Sequence, residues 1–327
     1  MDRAKALPAV EVSGLTRRYD SFTAVDGISF TVQPGEVFGF LGPNGAGKTT
    51  TIRMLTGMLR PTAGSARVAG CDVVSDRVRL KSAVGVVPER SNLYDELTGR
   101  DNLIFMAQLY GLPPSRWRPR AEELLHEFGL EEAAGRRFGS YSRGMKRRLT
   151  IAAALVHEPQ VLFLDEPTTG LDVMSARGLR QTIHRLNDAG TTIFLTTHLI
   201  QEAQDLCHRV AILVRGQIRA LDTPEALRRL AGPEPSLRVC FSGPANSVLD
   251  KLRRHPGLVL SEGGNGTVSI RGLDPTRALA ALGEALAGEA VQVQDVHLEM
   301  PSLEDAFVHI TGLEAAAMLQ EKGGKGA

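Results

Sequence analysis

Residues 42–49, Gly42-Pro43-Asn44-Gly45-Ala46-Gly47-Lys48-Thr49, constrain this chain more than any other stretch. They fit the pattern Gly-x-x-x-x-Gly-Lys-Ser/Thr, and they stand where that pattern has meaning. The apolar run Val37–Leu41 before them reads as a buried strand, and KTTTIRMLTGML, from Lys48 onward, reads as a helix. Glycines at these positions let the backbone curl until successive N–H groups face one anion. The helix opening near Lys48 adds its positive end, with Thr50 in its first turn. Lys48 then reaches terminal phosphates, and the Thr49 hydroxyl is a ligand for Mg²⁺. The rival reading is a chance match in a glycine-rich loop; the flanking strand and helix argue against it.

With 327 residues the chain suffices for one large or two ordinary domains. An apolar content of 43% and a charged fraction of 23% are those of a soluble globular protein. The formal charge of +1 gives no general attraction to nucleic acid or anionic lipid. Cys71, Cys207 and Cys240 lie far apart and read as buried apolar residues of a reducing compartment, not as a disulfide or zinc framework. The most apolar stretch, residues 149–156, falls far short of the ~20 residues a spanning helix needs. The N-terminal MDRAKALPAVEV lacks the apolar core of a secretory signal. The expectation is a cytosolic protein whose membrane role, if it has one, comes through a partner.

Residues 10–15 and 28–32 read as strands. From about residue 98 helical periodicity takes over, in 101–110, 121–128 and 143–156, which makes a helical insert of about 98–157. Apolar, β-branched runs return at 161–164 and 192–196 around a helix at 173–187. This alternation implies an α/β fold with a parallel sheet and helices on its faces. Residues 210–214 and 217–220 flank a hairpin turn at Arg215-Gly216. Thr223-Pro224-Glu225 opens a short helix ending at Ala231-Gly232, with Thr223 as N-cap. Gly232-Pro233-Glu234-Pro235 reads as a linker, so the expected domains are 1–232 and 233–313, with a frayed tail at 314–327. In the second domain strands at 237–241, 258–260, Thr267–Arg271 and 291–298 alternate with helices at 245–254 and 275–287, and 263–266 is a turn. The order β-α-β-β-α-β is that of a small α+β ferredoxin-like domain.

Four further features carry chemistry only in context. The run at 161–164 ends in Asp165-Glu166, at the sheet edge where α/β proteins bind ligands. Asp165 there suits Mg²⁺ and Glu166 an attacking water; in isolation a solvated acidic turn is the better reading. Tyr141-Ser142-Arg143-Gly144-Met145 precedes a helix with Ser142 as natural N-cap, either an ordinary capped helix or an anion site. Lys146-Arg147-Arg148 reads as the solvated face of that helix rather than a nucleic-acid patch. His198, after the run at 192–196, and Tyr19, near a strand, are by themselves unremarkable, although Tyr19 has a face that adenine can stack on.

In this order the motifs resemble those of the ATP-binding subunit of an ABC transporter, over about residues 10–232. Tyr19 matches the adenine-stacking aromatic, residues 42–49 Walker A, and Ser142-Arg143-Gly144-Met145 the signature loop. Asp165-Glu166 matches Walker B with its catalytic glutamate, Gly170-Leu171-Asp172 the D-loop, and His198 the switch histidine. The resemblance implies a P-loop NTPase of ABC ATPase type that binds ATP and Mg²⁺. Glu166 and His198 are then catalytic, Thr49, Asp165 and Glu89 hold the metal, and Tyr19, residues 42–50, Ser142, Gly144 and Asp172 contact nucleotide. Two positions depart from the pattern. Arg143 stands where the family usually has Gly, with Gly144 retained. Glu89, in Val86-Val87-Pro88-Glu89, stands where most relatives have Gln; it still offers an oxygen to Mg²⁺ or water but adds negative charge near phosphate.

The resemblance further implies a head-to-tail pair of such subunits, here a homodimer. Each ATP then lies between Walker A, Walker B and His198 of one subunit and Ser142 and Gly144 of the other. Pro301-Ser302-Leu303-Glu304-Asp305-Ala306-Phe307 is similar to a segment of bacterial exporter subunits of the daunorubicin-resistance class, where a Glu89 variant also occurs. That class implies a separate membrane permease docking near Glu89 and the helical insert, a peripheral location on the cytoplasmic face of the membrane, and export of a drug, antibiotic or other amphiphile. A soluble ABC-type ATPase acting on DNA or ribosomes is the alternative. Against it stand the single P-loop, the lack of a coiled-coil insertion between Gly42 and Ser142, and the lack of a strongly basic face. The second domain's strand order also suits RNA binding, but Thr267–Arg271 lacks the stacking aromatics that this requires; regulation or a dimer contact suits it better.

Overall fold

The chain enters its core through a long antiparallel pair, β1 (Val10–Tyr19) and β2 (Phe22–Val32), longer at both strands than the sequence pattern indicates. Charged residues such as Arg17 and Arg18 interrupt the apolar alternation there but stay paired, and the ladder resumes on either side of an irregularity at Asp26-Gly27. The computed structural model describes residues 7–230, 236–243, 245–262, 266–272 and 274–313. The expected linker at 232–235, the turn residues 263–265, the tail 314–327 and the first residues of the N-terminal stretch lie outside the described residues.

Every residue of β3 (Val37–Leu41) is buried. It leads through residues 42–47 into α1 (Lys48–Leu55). Two short strands, β4 (Ala63–Val68) and β5 (Cys71–Asp72), complete an antiparallel sheet of order β2-β1-β4-β5. After α2 (Arg77–Ala83) and β6 (Val84–Val87) comes the helical insert: α3 (Gly99–Leu109), α4 (Pro114–Glu127) and α5 (Arg143–Ala154). Then follow β7 (Val161–Asp165), α6 (Val173–Asp188), β8 (Thr192–Thr197), α7 (Ile200–Leu206), β9 (Arg209–Val214) and β10 (Gln217–Asp222). The second sheet has the order β10-β9-β3-β8-β7-β6, parallel except for β10, which pairs with β9 across the Arg215-Gly216 turn. Strands β3, β7 and β8 are buried on both faces, as parallel strands covered by crossover helices must be.

The two sheets share one core. Phe30 of β2 stacks on Phe38 of β3 at 5.3 Å between ring centroids, and Phe40, Phe194 and Phe163 continue the cluster. Cys71 and Cys207 are buried as expected, but Cys240 is only half-buried.

A second compact unit covers Glu225–Gly312. The helix opened by Pro224, α8 (Pro224–Arg229), thus falls almost wholly in it rather than in the first domain as expected. The remaining elements are β11 (Ser236–Ser242), α9 (Asn246–Arg254), β12 (Val259–Glu262), β13 (Thr267–Arg271), α10 (Pro275–Leu286), β14 (Gln292–Glu299) and α11 (Leu303–Thr311). The strands pair antiparallel in the order β12-β13-β11-β14. Val248 and Leu252 of α9 and Ala281 and Leu282 of α10 pack on Val239, Phe241 and Ile270. The segment that carried the exporter resemblance becomes α11, opened by a capping box between Ser302 and Asp305.

Phe194→Ala removes the ring that touches most of the aromatic cluster. It is expected to lower the unfolding free energy of the first unit by about 3–5 kcal/mol, read from urea denaturation. A loss under ~1 kcal/mol would show that the cluster is not the shared core.

Candidate functional site: a phosphate loop and a carboxylate pair at three strand ends

The loop after β3 is pressed against its neighbours. A Cβ on Gly42 would lie 2.1 Å from the Leu213 carbonyl oxygen, and Gly47, at φ 108°, would drive one to 2.5 Å from that of Ala24. Only glycine fits either position. The curled backbone carries Lys48 into the first turn of α1, and its ammonium folds back to donate to the carbonyls of Gly42 (2.6 Å) and Pro43 (3.3 Å).

Strand β8 lies between β3 and β7, so three chain ends converge on this loop. Asp165 closes β7. Its Oδ1 accepts from Thr49 Oγ1 at 3.2 Å and from Thr196 Oγ1 at 2.6 Å. Glu166 follows at φ 48°, a left-handed conformation that costs a non-glycine residue energy and persists only where its surroundings enforce it. Its amide donates to the Thr196 carbonyl, and its carboxylate is turned to the loop. Oε1 lies 3.0 Å from Lys48 Nζ, and Oε2 lies 2.7 Å from His198 Nδ1 and 3.2 Å from Thr169 Oγ1. The buried Lys48 and Glu166 and the half-buried His198 thus form one chain of cation, carboxylate and imidazole. Burial pushes the Glu166 carboxyl up, but the His198 hydrogen bond and the charges of Lys48 and His198 outweigh it, and the pKa falls below the usual glutamate value.

A cavity of about 900 Å³ opens over this chain. Residues 43–50, Tyr19, Glu89, Glu166 and His198 line it, so most of the residues singled out in the sequence meet in one place. Tyr19 stands at the turn between β1 and β2, 41% exposed, with the Arg17 guanidinium 4.5 Å from its ring centroid. Phe22, Thr169 and Arg90 also line the cavity and were missed. Phe22 opens a strand, and nothing in its neighbours marks it. Glu89 borders a second cavity as well, about 860 Å³, between α1 and the helical insert, where Met58, Met106 and Leu109 are among the lining residues.

Ser142, Gly144 and Asp172 do not reach the phosphate loop; they gather elsewhere in the first unit. Ser142 Oγ caps α5 by accepting from the Met145 amide at 3.3 Å. Asp172 caps α6 by accepting from the Ser175 amide at 2.9 Å and the Ser175 hydroxyl at 2.7 Å, and Gly144 lies against that same serine. Arg143 donates from Nη1 to the Gly170 carbonyl at 3.5 Å.

The reading of Lys146-Arg147-Arg148 as a solvated face is corrected at Arg147. This residue is 8% exposed, and its guanidinium turns inward to the carbonyls of Asp165 (2.8 Å), Pro167 (2.8 Å), Pro88 and Glu89. Burial lowers its pKa to about 10, opposed by the carboxylates of Asp165, Glu202, Glu89 and Glu166, so it stays charged at neutral pH. Charge composition alone does not distinguish this buried arginine from its half-buried neighbours Lys146, paired with Asp95, and Arg148, which donates to the Phe128 carbonyl.

The profile of the family described as ABC transporter matches residues 25–169. The daunorubicin/doxorubicin resistance ATP-binding protein DrrA of Streptomyces peucetius is 39% identical, over 93% of this chain and 92% of its own. The linearmycin resistance ATP-binding protein LnrL of Bacillus subtilis is 33% identical, over 93% and 98%. The Nod factor export ATP-binding protein I of Paraburkholderia xenovorans is 37% identical, over 94% and 98%. Among solved structures, an ATP-binding subunit of an ABC transporter superposes with a TM-score of 0.62 at 31% identity, covering 68% of this chain and 92% of that one. A dimeric ATP-binding cassette, MJ0796, bound to ADP and Pi after hydrolysis, superposes with a TM-score of 0.60 at 25% identity, covering 65% and 98%. The chain therefore belongs to the ATP-binding subunits of ABC transporters, of the class that includes the daunorubicin-resistance proteins, and these subunits hydrolyse ATP. The resistance and export roles named among these relatives do not favour a soluble ATPase acting on DNA or ribosomes.

Two substitutions separate binding from chemistry. If residues 42–49 cradle phosphates, Lys48→Ala is expected to weaken ATP binding roughly 10- to 100-fold, measured by direct titration; unchanged affinity would contradict the loop assignment. If Glu166 is the base, Glu166→Gln, which keeps the shape of the site, is expected to leave ATP binding intact while turnover falls about 10²- to 10⁴-fold. Normal phosphate release by this variant would remove Glu166 from that role.

Proposed function

We propose that this chain is the motor of an exporter, with Glu166 activating the attacking water and His198 holding that carboxylate in position. The observation that carries the reading is the Lys48–Glu166–His198 chain beneath the phosphate loop, with Lys48 and Glu166 buried. When a triphosphate enters, its outer phosphates compete for Lys48. Glu166 then loses its nearest cation and becomes more basic as substrate arrives. Residues 42–50 cradle the phosphates, and Tyr19 stacks on adenine. The oxygens of Thr49 and Asp165, 3.2 Å apart, suit a shared Mg²⁺, with Glu89 as a third donor. The ion supplies neutralisation of phosphate charge.

Ser142, Gly144 and Asp172 serve a second copy of the chain, whose phosphate loop they close. Their separation from the 900 Å³ cavity supports this, since the helix end capped by Ser142 offers free N–H groups to an anion that is not bound in cis. A separate integral membrane permease docks in the cavity beside Glu89, and nucleic acid is not a partner. Among the described residues no helix is long and apolar enough to cross a membrane, which suits a peripheral subunit at the cytoplasmic face. Relatives named for daunorubicin/doxorubicin and linearmycin resistance favour an amphiphilic drug or antibiotic as cargo. The strand order of residues 236–299 supports a ferredoxin-like accessory domain.

The shared site has a direct consequence for assembly. In Glu166→Gln, where ATP persists, sedimentation is expected to shift from monomer to dimer on adding ATP and back on exchange for ADP. A species that stays monomeric with saturating ATP would contradict the shared site.

A further inference from the structure

Strands β6 and β7 pair in parallel as far as Val87 and Leu164. Beyond that register their chains part, and the carbonyls of Pro88 and Glu89 on one side and Asp165 and Pro167 on the other point into the space between them. The hydrogen bonds to Asp165 and Pro167 are buried and those to Pro88 and Glu89 half-buried, and buried carbonyls need donors. Arg147 supplies them to all four from a single guanidinium: Nε donates to Pro167, Nη2 to Asp165, and Nη1 to Pro88 and Glu89. No lysine can do this, because an ammonium is a point charge without a planar fork.

The carbonyls it holds belong to functional segments. Asp165 accepts from Thr49, Glu89 lines the nucleotide cavity, and Pro167 lies between Glu166 and the Thr169 that donates to it. Arg147 itself stands one helical turn beyond Arg143 in α5, whose N-terminus is Ser142. One helical turn and one guanidinium thus join the Ser142–Gly144 loop to the carbonyls of Asp165 and Pro167, on either side of Glu166.

We propose that Arg147 is a positioning residue for hydrolysis, tying the signature helix to the segments of Glu89 and Asp165–Pro167 so that engagement of the Ser142 loop aligns the Glu166 carboxylate. The inference rests on the reading of Glu166 as the base. Arg147 touches neither nucleotide nor attacking water, so its loss spares binding and strikes the chemical step.

The test compares Arg147→Lys, Arg147→Met and Glu166→Gln in one ATPase assay, with turnover normalised to sites that bind ATP. Arg147→Lys keeps the charge but not the fork, and is expected to bind ATP within about threefold of wild type while kcat drops roughly 10- to 100-fold; Arg147→Met falls further. A structural role alone would reduce the number of binding sites and leave kcat per site unchanged, and that result would overturn the proposal. Wild-type turnover in Glu166→Gln would overturn both this inference and the reading beneath it, whereas a dead Glu166→Gln beside a fully active Arg147→Lys would overturn this inference alone. Hydrogen exchange needs no Arg147 variant. On adding ATP, peptides covering residues 86–90, 143–148 and 165–169 are expected to gain protection together; protection confined to 165–169 would contradict the coupling.

Discussion

Strand β8 lies between β3 and β7, and the site's geometry depends on that order. Parallel strands end at a common edge. With β8 in the middle, Lys48 after β3, His198 after β8 and Glu166 after β7 emerge side by side, and their side chains meet within hydrogen-bonding distance. Burial of the sheet on both faces makes the arrangement consequential, because a carboxylate at this depth is costly unless paired. Glu166 has both a cation and an imidazole, and it holds a left-handed backbone conformation in doing so. The site thus stores a charge pairing that a phosphate is suited to disrupt.

The same chain carries the pieces of a second surface. Ser142 and Asp172 cap their helices locally, away from the loop after β3. Arg147 gives the two surfaces a mechanical connection, since one buried guanidinium is bonded to backbone on both sides of the β6–β7 edge. On the proposed reading, closure of two subunits would act on the geometry of the Glu166 carboxylate through this connection.

Much of this was legible in the sequence, for physical reasons. Strands β3, β7 and β8 are continuous apolar runs because both faces are covered, and spacing alone identified the loop between β3 and α1. Elements on the periphery were not legible. β4 exposes most of its residues, β5 has only two, and α7 is short and opens without a side-chain cap. The division near Pro224 was also hidden, since a proline at a helix start marks the helix but not the unit it joins. Arg147 was misread for a related reason. Three basic residues in a row look alike on a helix, and only the four inward carbonyls separate one from its neighbours.

The most direct measurement mixes two inactive chains. Ser142→Asp keeps a good N-cap for α5 but presents a carboxylate to the phosphates of the opposite subunit, and Glu166→Gln retains the loop but lacks the base. A site shared between subunits requires that the mixed dimer contain one intact site, so ATP hydrolysis should reappear on mixing although neither chain hydrolyses alone. A mixture as inactive as its two components would contradict the shared site.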